Sequence, residues 1–409
     1  MFPEDAVAAE IDERTRRGRR SAYAAFGVQG LSFAALVTRI PEIQKAHHLS
    51  DGTLALVLLA VPVVAGVGSV LTGGLMPRYG SGPVLRVAQP FVLLSILAIG
   101  VAPGNLALYA STALFGLFVG AVDASMNAQA VTAETLYGKS LLTGFHAVWS
   151  AAGILAGLWI ALANRVDLGL GTGFAIPAVL GIAVSVFTGR RLYAHELEST
   201  GPSGEQLKAA AKRVAWRPIV VIGVAVTCMY IADSATSSYS AKYLKDDLDA
   251  SGAIAPLAYV AYQVCMMLSR TGADFVVRAY GAARVVAVGS VIGGLGLLAA
   301  AFAPGPAVAI AGFAVAGLGL AVVVPTSFSA AGKLDPTGLG IAVARVNVFN
   351  YVGFVLGAVI AGAVASNLWI AYAVGAALTL VILGSAKGFE PAPVAGATPD
   401  TPVAERPVV

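Results

Sequence analysis

The sequence predicts an all-α, polytopic membrane protein with twelve transmembrane helices in two pseudo-symmetric bundles of six. Three observations support this fold class: the composition, the spacing of the apolar runs and an internal repeat. Of the 409 residues, 57% are hydrophobic and only 12% are charged, whereas a soluble protein carries about 25% charged residues. Because so few charges cannot cover so apolar a core in water, most of the surface must face lipid.

Twelve apolar runs are long enough to span a membrane, since a helix needs about 20 residues to cross the hydrocarbon core. In the first half of the chain they cover residues 21–44, 52–76, 84–102, 106–131, 141–163 and 170–189. In the second half they cover residues 217–240, 254–275, 283–302, 306–330, 339–364 and 367–386. We interpret the first run as a transmembrane helix and not as a cleavable signal, because no small-residue cleavage pattern closes it.

These runs divide the chain into five parts. We expect an N-terminal tail at 1–20, a first bundle at 21–189, a central loop at 190–216, a second bundle at 217–386 and a disordered tail at 387–409. The last part is rich in Pro, Ala and Val and has no periodic pattern. Within the central loop, a helix-like stretch from Glu205 to Trp216 is expected to lie on the inner membrane surface and to tether the two bundles.

The positions of the lysines and arginines predict the orientation. With the N-terminus inside, the inner segments hold 19 of the 26, counting Arg86, Arg217 and Arg284 at the inner ends of spans. The outer loops hold four, which are Lys45, Arg165, Lys242 and Lys245, and three lie deeper within the spans. Basic residues accumulate on the cytoplasmic side of membrane proteins. We therefore expect a multi-pass protein of the cell (inner) membrane with both termini in the cytoplasm.

The two halves of the sequence resemble each other at an offset of 200 or 201 residues. Three segments recur: Tyr79–Val84 as Tyr280–Val285, Gly116–Leu117 as Gly317–Leu318, and Trp149–Gly153 as Phe349–Gly353. The repeat predicts a duplicated six-helix unit. Parallel repeats of this kind, with a binding site between the halves, are typical of secondary transporters.

A basic, glycine-containing turn follows the second and eighth runs. The first copy fits the pattern Gly-x-Leu-x-Asp-Arg-x-Gly at Gly73, Leu75, Arg78 and Gly80, with Pro77 in place of the Asp. The second copy keeps Arg270, Asp274, Arg278 and Gly281. Over about residues 21–386 the chain thus resembles the major facilitator superfamily, and the resemblance implies a monomeric carrier that works by alternating access.

The fourth run adds a shorter likeness. Its stretch from Asp123 to Asn127 resembles the acidic residue–x–x–x–Asn pattern of the fucose-permease (sugar permease) branch. This likeness implies a polar, sugar-like substrate.

Asp123 is the leading candidate for binding a coupling proton. Gly116, Gly120, Asp123 and Asn127 are spaced i, i+4, i+7 and i+11 and share one helix face. The glycines permit close approach of a neighbouring helix, so the acid and the amide point into the protein. Burial favours the protonated form of a carboxyl group and a nearby cation favours the ionised form, which makes such a group switchable. The alternative is a permanent structural ion pair or hydrogen bond.

His146 lies in a second stripe with Ser150, Gly153 and Gly157. A histidine near an acid could relay protons or bind substrate, and the alternative is a hydrogen bond between packed helices. Trp149 could stack on a sugar ring, with core packing as the alternative. Ser150 is expected to line the path of the transported solute.

The seventh run is unusually polar at its outer half. Tyr230, Asp233, Ser234 and Ser237 share one face, and polar stretches persist at membrane depth only where they line a cavity or are buried in protein. We expect the outer half of a translocation path here, and the alternative is a frayed helix end near the headgroups.

Charged residues at the ends of spans are candidates for gating or structural roles. Arg39 and Glu42 flank Pro41 and form either an outer gate or an interfacial pair whose charges reach water. Arg270 and Asp274 are expected near the inner end of the eighth span, as a contact between the halves. Weaker candidates for lining the path are Gln29, Tyr262, Gln263, Thr326, Asn347, Asn350 and Tyr351, while Arg345 and Arg78 are gating or structural candidates.

Two transport functions fit these residues. One is a proton-coupled importer of a sugar or similar polar solute, and the other is a proton-driven exporter of a small metabolite or drug. The glycine–proline pattern of exporters in the fifth span is incomplete, because no proline follows Gly153 and Gly157. A membrane receptor or enzyme is a remote alternative, since no nucleophile elbow, zinc-protease spacing or complete phosphate-binding loop is present. We expect no cofactor, no metal site and no nucleic-acid partner; the partners are a small solute, a proton and lipid.

Overall fold

The structure, a computed structural model, describes residues 12–137, 141–197, 209, 211–334 and 341–390, and of residues 143, 274 and 344 only the backbone. The helices of its first half are α1 (Glu13–Val37), α2 (Ile40–Ala46), α3 (Asp51–Tyr79), α4 (Ser81–Gly100), α5 (Asn105–Tyr137), α6 (Leu142–Arg165) and α7 (Leu170–Gly189). Those of its second half are α8 (Trp216–Lys242), α9 (Leu257–Tyr280), α10 (Ala282–Ala301), α11 (Pro306–Leu320), α12 (Val323–Lys333), α13 (Ile341–Ala363) and α14 (Trp369–Ser385). A π-helical turn, Tyr243–Asp247, extends α8.

Twelve spans account for these helices. In the described part of the chain, ten helical segments are long and apolar enough to cross a membrane, and α11 with α12 counts as one of them. The pair of α1 and α2 is an eleventh, bent by 49°. The twelfth is α9, which has 24 residues and packs between α6 and α11. The predicted fold class is confirmed.

Two spans that the sequence predicted as continuous are broken. The break between α1 and α2 precedes Pro41, which occupies the first turn of α2, where the missing N–H of proline costs no hydrogen bond. The break between α11 and α12 lies at Ala321 and Val322 and precedes Pro325 in the first turn of α12. Hydropathy alone does not reveal the second break, because both sides of it are apolar.

The ends of the chain differ from the prediction. The expected tail at 1–20 is shorter, because α1 begins at Glu13, where Asp12 accepts a hydrogen bond from the Thr15 N–H at 2.7 Å. The expected tail at 387–409 starts later, because a 3-10 turn at Ala386–Phe389 buries Phe389. Residues 1–11, 391–409 and five of the twelve residues of the helix-like stretch from Glu205 to Trp216 lie outside the described residues.

Each half has its own apolar core, and the turn that the repeat predicts is present in both. Gly80 ends α3 with φ 81° and Gly281 ends α9 with φ 82°. Glycine adopts this left-handed conformation at no steric cost. The N–H groups of both residues donate to the preceding helix, to the carbonyls of Met76 at 2.8 Å and Val277 at 2.9 Å.

Candidate transport site between the two bundles

Asp123 lies where the two halves meet. The Asn127 side-chain amide donates to the Asp123 backbone carbonyl at 2.8 Å and to its Oδ1 at 3.3 Å. The hydroxyl of Tyr351, on α13 of the other half, donates to Asp123 Oδ2 at 3.3 Å. The predicted face of α5 is therefore turned inward, and its carboxylate contacts both bundles.

The predicted close approach at the α5 glycines is present. An added Cβ at Gly116 would lie 2.8 Å from the Val61 carbonyl of α3, and one at Gly120 would overlap the Ala65 carbonyl. Helix α3 can therefore pack directly on the α5 backbone. This packing fixes the rotation of α5 and with it the direction of Asp123.

A second acid, Asp233, belongs to the other half. Its Oδ1 accepts a hydrogen bond from the Tyr262 hydroxyl at 2.7 Å, so α8 and α9 hold this carboxylate together. Arg270 on α9 is near enough to interact electrostatically with Asp233 and with His146 of the first half. Arg270 lies in the middle of α9 rather than near its inner end, because α9 extends to Tyr280 and not to residue 275.

The charged neighbour of His146 is thus Arg270, while Asp123 has Asn127 and Tyr351 as partners. The imidazole also meets the Phe26 ring edge-on, with centroids 5.3 Å apart. The side chain of Asp274 is not among those that the structure describes, so its contact with Arg270 stays a prediction.

Tyr259 joins the bundles and was missed by the sequence analysis. This fully buried tyrosine of α9 packs into the core of the first half, where an added Cβ at Gly153 would lie 3.2 Å from its hydroxyl. Gly157 faces Val260 in the same way. The Gln263 amide donates to the Tyr259 hydroxyl at 2.9 Å. The glycine stripe of α6 was a signal for this contact, but its partner could not be read from the sequence.

Buried polar atoms without a partner surround this centre. Within the described residues, Ser150 Oγ, Gln263 Oε1 and Asn350 Oδ1 are buried and make no hydrogen bond. Such groups are rare in folded proteins and indicate an unseen water or ligand. The atoms come from α6, α9 and α13, so both halves contribute free hydrogen-bonding capacity to the predicted path.

Other predicted lining residues are already paired. Trp149 Nε1 donates to Gln29 Oε1, and the Trp149 ring meets the Phe33 ring at 6.0 Å. Asn350 donates to Asn347 Oδ1 at 2.7 Å. Thr326 is buried and donates to the Val322 carbonyl at 2.6 Å within α12.

The polar C-terminal part of α8 is not a frayed end. Ser234, Ser237 and Tyr239 are buried, and the helix continues to Lys242. Ser234 donates to the Phe354 carbonyl of α13 at 3.0 Å, while Tyr230 packs against the Phe354 ring at 6.3 Å. Ser234 thus contributes to packing inside the second half, and Ser237 stays a candidate for the path.

Arg39 does not extend to water. Only 2% of its surface is exposed, and its guanidinium donates to Asn164 Oδ1 at 2.9 and 3.0 Å, to the Gly169 carbonyl at 3.0 Å and to the Leu168 carbonyl at 2.5 Å. The alternative of an exposed interfacial charge is therefore wrong. Asn164 in turn donates to the Gly252 carbonyl of the second half at 2.8 Å.

Ion pairs between the halves cluster at this end of the molecule, which we call the Arg39 end. Lys245 Nζ lies 2.6 Å from Glu42 Oε1, and Lys242 Nζ lies 3.0 Å from Asp51 Oδ1 and 2.5 Å from Asp246 Oδ2. The side chain of Lys242 is only 4% exposed. Glu42, the other charged residue that flanks Pro41, thus pairs across the halves.

The opposite end, where α1 begins and α14 ends, is the termini end. Contacts between the bundles described above run from the centre to the Arg39 end. Toward the termini end, Leu75 of α3 is 45% exposed and Val348 of α13 is 59% exposed. An added Cβ on Gly74 or Gly272 would have nothing within 4 Å. None of the contacts between the halves named here lies at the termini end, where these four residues are all exposed.

Arg345 and Arg78 take structural positions. Arg345 donates to the backbone carbonyls of Val214 at 2.6 Å and Ala211 at 2.7 Å and stacks on the Trp216 ring at 4.1 Å. It therefore anchors the end of the central loop to α13. Arg78 stacks on the neighbouring Tyr79 ring at 5.2 Å.

Comparison with known proteins relates the chain to transporters. The sequence profile of the Major Facilitator Superfamily matches residues 222–409. An uncharacterized MFS-type transporter of Yersinia pestis is 28% identical over 367 residues, which cover 89% of this chain and 93% of the relative. Membrane protein MosC of Rhizobium meliloti is 28% identical over 87% of this chain and 85% of its own.

Solved structures show the same fold. The nucleoside transporter NupG superimposes with a TM-score of 0.70 at 13% identity, over 92% of this chain and 99% of its own. The E. coli fucose:proton symporter FucP gives 0.62 at 15% identity, over 91% and 98%. The second half of the chain thus matches the profile of the major facilitator superfamily, and the whole chain resembles an MFS-type transporter. It is a multi-pass membrane transport protein and not an enzyme.

Proposed function

We propose that this protein moves a polar, sugar-like solute by alternating access and couples the movement to a proton bound at Asp123. The observation that carries the proposal is the contact of Asp123 with Tyr351 across the two halves. The contacts of a carboxyl group in this position depend both on whether it is protonated and on the relative position of the bundles. The same end-to-end asymmetry, joined at the Arg39 end, fits one state of an alternating-access cycle.

Proton binding changes what the Asp123 carboxyl can do. When ionised it only accepts hydrogen bonds, as it does from Tyr351 and Asn127. When protonated, the carboxyl group gains one hydrogen-bond donor and loses its charge. The contact with Tyr351 across the bundles then rearranges, and moving the neutral group within the membrane costs less free energy than moving the charged one. The rocking of the halves is thereby linked to the protonation state.

The solute class is supported by the groups around the centre. The unpartnered oxygens of Ser150, Gln263 and Asn350 accept hydrogen bonds from hydroxyl groups, and the face of Trp149 offers an apolar stacking surface. Two proteins of the same fold are named as a fucose:proton symporter and a nucleoside transporter. We also propose that the termini end faces the cytoplasm, which the positions of the lysines and arginines support.

The test begins with a thermal-shift screen of the purified chain over sugars, organic acids and antibiotics, because a ligand that prefers the folded state raises its apparent stability. Ligands found in this way are then followed in proteoliposomes, as uptake and as efflux, with and without an imposed pH gradient. Accumulation of a sugar against its gradient, driven by protons, is the expected result. Proton-driven efflux of an apolar drug with no sugar transport would favour the exporter instead.

Asp123→Asn is the decisive variant in this assay. It should abolish accumulation driven by the pH gradient and leave exchange of solute across the membrane intact. Asp167→Asn is the matched control, because Asp167 is exposed in the turn after α6 and asparagine tolerates its positive φ. Full accumulation by Asp123→Asn would refute proton coupling at this residue.

A further inference from the structure

A cleft of about 660 Å³ lies at the termini end of the first half, away from the central site. The start of α1, the start of α4, the end of α7 and the segment that follows α7 form its walls. Five arginines line it against two glutamates, Glu13 and Glu196. The arginines are Arg14, Arg17, Arg86, Arg190 and Arg191.

These cations are available to a ligand. All five are exposed, and in the described part of the chain only Arg17 has a carboxylate partner, Glu13, at 3.0 Å. Arg86 Nε donates to the Gly189 carbonyl at 3.2 Å, which holds its guanidinium between α4 and α7. The cleft therefore presents several uncompensated positive charges from α1, α4 and the segment that follows α7.

The floor of the cleft is rigid. Tyr193 is buried, its hydroxyl donates to the Thr15 carbonyl at 3.1 Å, and its N–H donates to Gln129 Oε1 at 2.8 Å. Burial raises the pKa of the Tyr193 phenol, so this group stays neutral and keeps donating to α1. The spacing of the arginines is thus set before a ligand arrives.

Exposed apolar side chains lie next to the arginines of the cleft. Val87, next to Arg86, is 59% exposed, and Phe187, in the last turn of α7, is 66% exposed. The Arg191 guanidinium stacks on the Phe187 ring at 4.5 Å. An amphipathic anion fits a cationic recess that has exposed apolar side chains beside it. Its charged group can lie in the recess while its acyl chains lie in the bilayer.

We propose that this cleft binds the phosphate-bearing headgroup of an anionic phospholipid, whose acyl chains lie along Val87 and Phe187. A free phosphate would not need the apolar side. The site belongs to the first half alone, because the repeat offset of 201 residues pairs Arg86, Arg190 and Arg191 with Ala287, Pro391 and Ala392. Lipid binding there would hold the first half in place in the inner leaflet.

The test is native mass spectrometry of the full-length protein in detergent with added phosphatidylglycerol or phosphatidylcholine. We expect retention of phosphatidylglycerol only, and a loss of affinity of about fivefold for each arginine removed. The variants are Arg190→Gln with Arg191→Gln, and Arg86→Gln alone in case the double variant does not fold. Arg284→Gln is the control, since Arg284 is exposed in the first turn of α10 at the same end of the second half.

Three results would overturn the proposal. One is equal retention of phosphatidylcholine and phosphatidylglycerol. Another is an equal loss of affinity in Arg284→Gln and the cleft variants, which would indicate a diffuse charge effect. The third is complete displacement of the lipid by millimolar inorganic phosphate, which would indicate a site for free phosphate.

Discussion

Arg39 shows how one buried cation can join several backbone segments. Its guanidinium holds Asn164 and the carbonyls of the turn after α6 through bonds in one plane. A lysine ammonium cannot reproduce this fork. Arg39→Lys should therefore lower the free energy of unfolding by about 2–4 kcal/mol, since hydrogen bonds to buried charged groups are strong and leaving acceptors unpaired is costly. The measurement is thermal or denaturant unfolding of the detergent-purified protein.

The control for this variant is Arg165→Lys, because Arg165 is exposed beside Asn164. It should leave stability within about 0.5 kcal/mol of the parent. Equal stability of both variants would show that the hydrogen bonds of Arg39 contribute nothing specific.

Tyr351 should affect coupling more than stability. Its hydrogen bond to Asp123 is long, at 3.3 Å, so Tyr351→Phe should cost about 1 kcal/mol or less in unfolding free energy. The number of protons taken up per solute should nevertheless fall, because the acid loses its contact with the other half. A pH-sensitive dye inside proteoliposomes measures this ratio. Tyr280→Phe, at an exposed tyrosine of α9, should keep the parental ratio; an unchanged ratio in Tyr351→Phe would contradict the role.

The direction of a side chain could be predicted from the sequence where the spacing of residues defines one face of a helix. The inward direction of Asp123 follows from its spacing with Gly116 and Gly120. The contacts of Tyr259 and Arg270 could not be predicted in this way, because each depends on which residue of the other half lies opposite. Those contacts depend on how the two bundles dock, and the periodicity of a single helix does not predict them.

At the scale of the elements, glycine contacts should control packing. A methyl group at Gly120 would overlap the Ala65 carbonyl, whereas one at Gly74 would meet nothing within 4 Å. Gly120→Ala should destabilise the protein by about 1–3 kcal/mol through overpacking. Gly74→Ala should be neutral or stabilising by up to about 1 kcal/mol, because alanine favours helix. Unfolding experiments on the pair separate packing from helix propensity, and a stabilising Gly120→Ala would exclude the close approach.

Element boundaries were predictable to the extent that apolar length defines them. The predicted span at residues 170–189 has the same bounds as α7, because this helix ends where the apolar run ends. The start of α1 was misplaced because a polar helical turn is stabilised by Asp12 and by the pair of Arg17 with Glu13, which hydropathy does not register. The end of α5 was misplaced for a similar reason: Glu134, inside the helix, accepts the N–H groups of Leu141 and Leu142 at the start of α6 at 2.7 and 2.9 Å.

At the scale of the whole molecule, the repeat predicted two halves with a site between them, but not how the halves close. The pair of Lys245 with Glu42 joins residues 203 positions apart, and the sequence alone predicts only that Lys242 and Lys245 lie in an outer loop. Long-range ion pairs of this kind have no local signal. They depend on the conformation in which the bundles meet at the Arg39 end.

These ion pairs should determine how often the Arg39 end is closed. Lys242 is almost fully buried between Asp51 and Asp246, and Lys245 is paired with a half-buried Glu42. Partly buried pairs contribute more than exposed ones, for which about 0–1 kcal/mol is typical. Lys242→Gln with Lys245→Gln should therefore remove about 2 kcal/mol from the closed state, which shifts the equilibrium toward opening about 30-fold.

The opening is measurable as maleimide labelling of Tyr239→Cys in a protein without Cys228 and Cys265, since Tyr239 is fully buried on α8 and its hydroxyl lies beside Gly362, where α13 meets Ala55 of the first half. Labelling should accelerate by about the same factor as the shift in equilibrium, because only the open state reacts. Exchanging the charges in Glu42→Lys with Lys245→Glu restores an attractive pair, so this variant should label as slowly as the parent. If the two glutamines left the labelling rate unchanged, packing around Tyr259 rather than charge would be what holds the halves together.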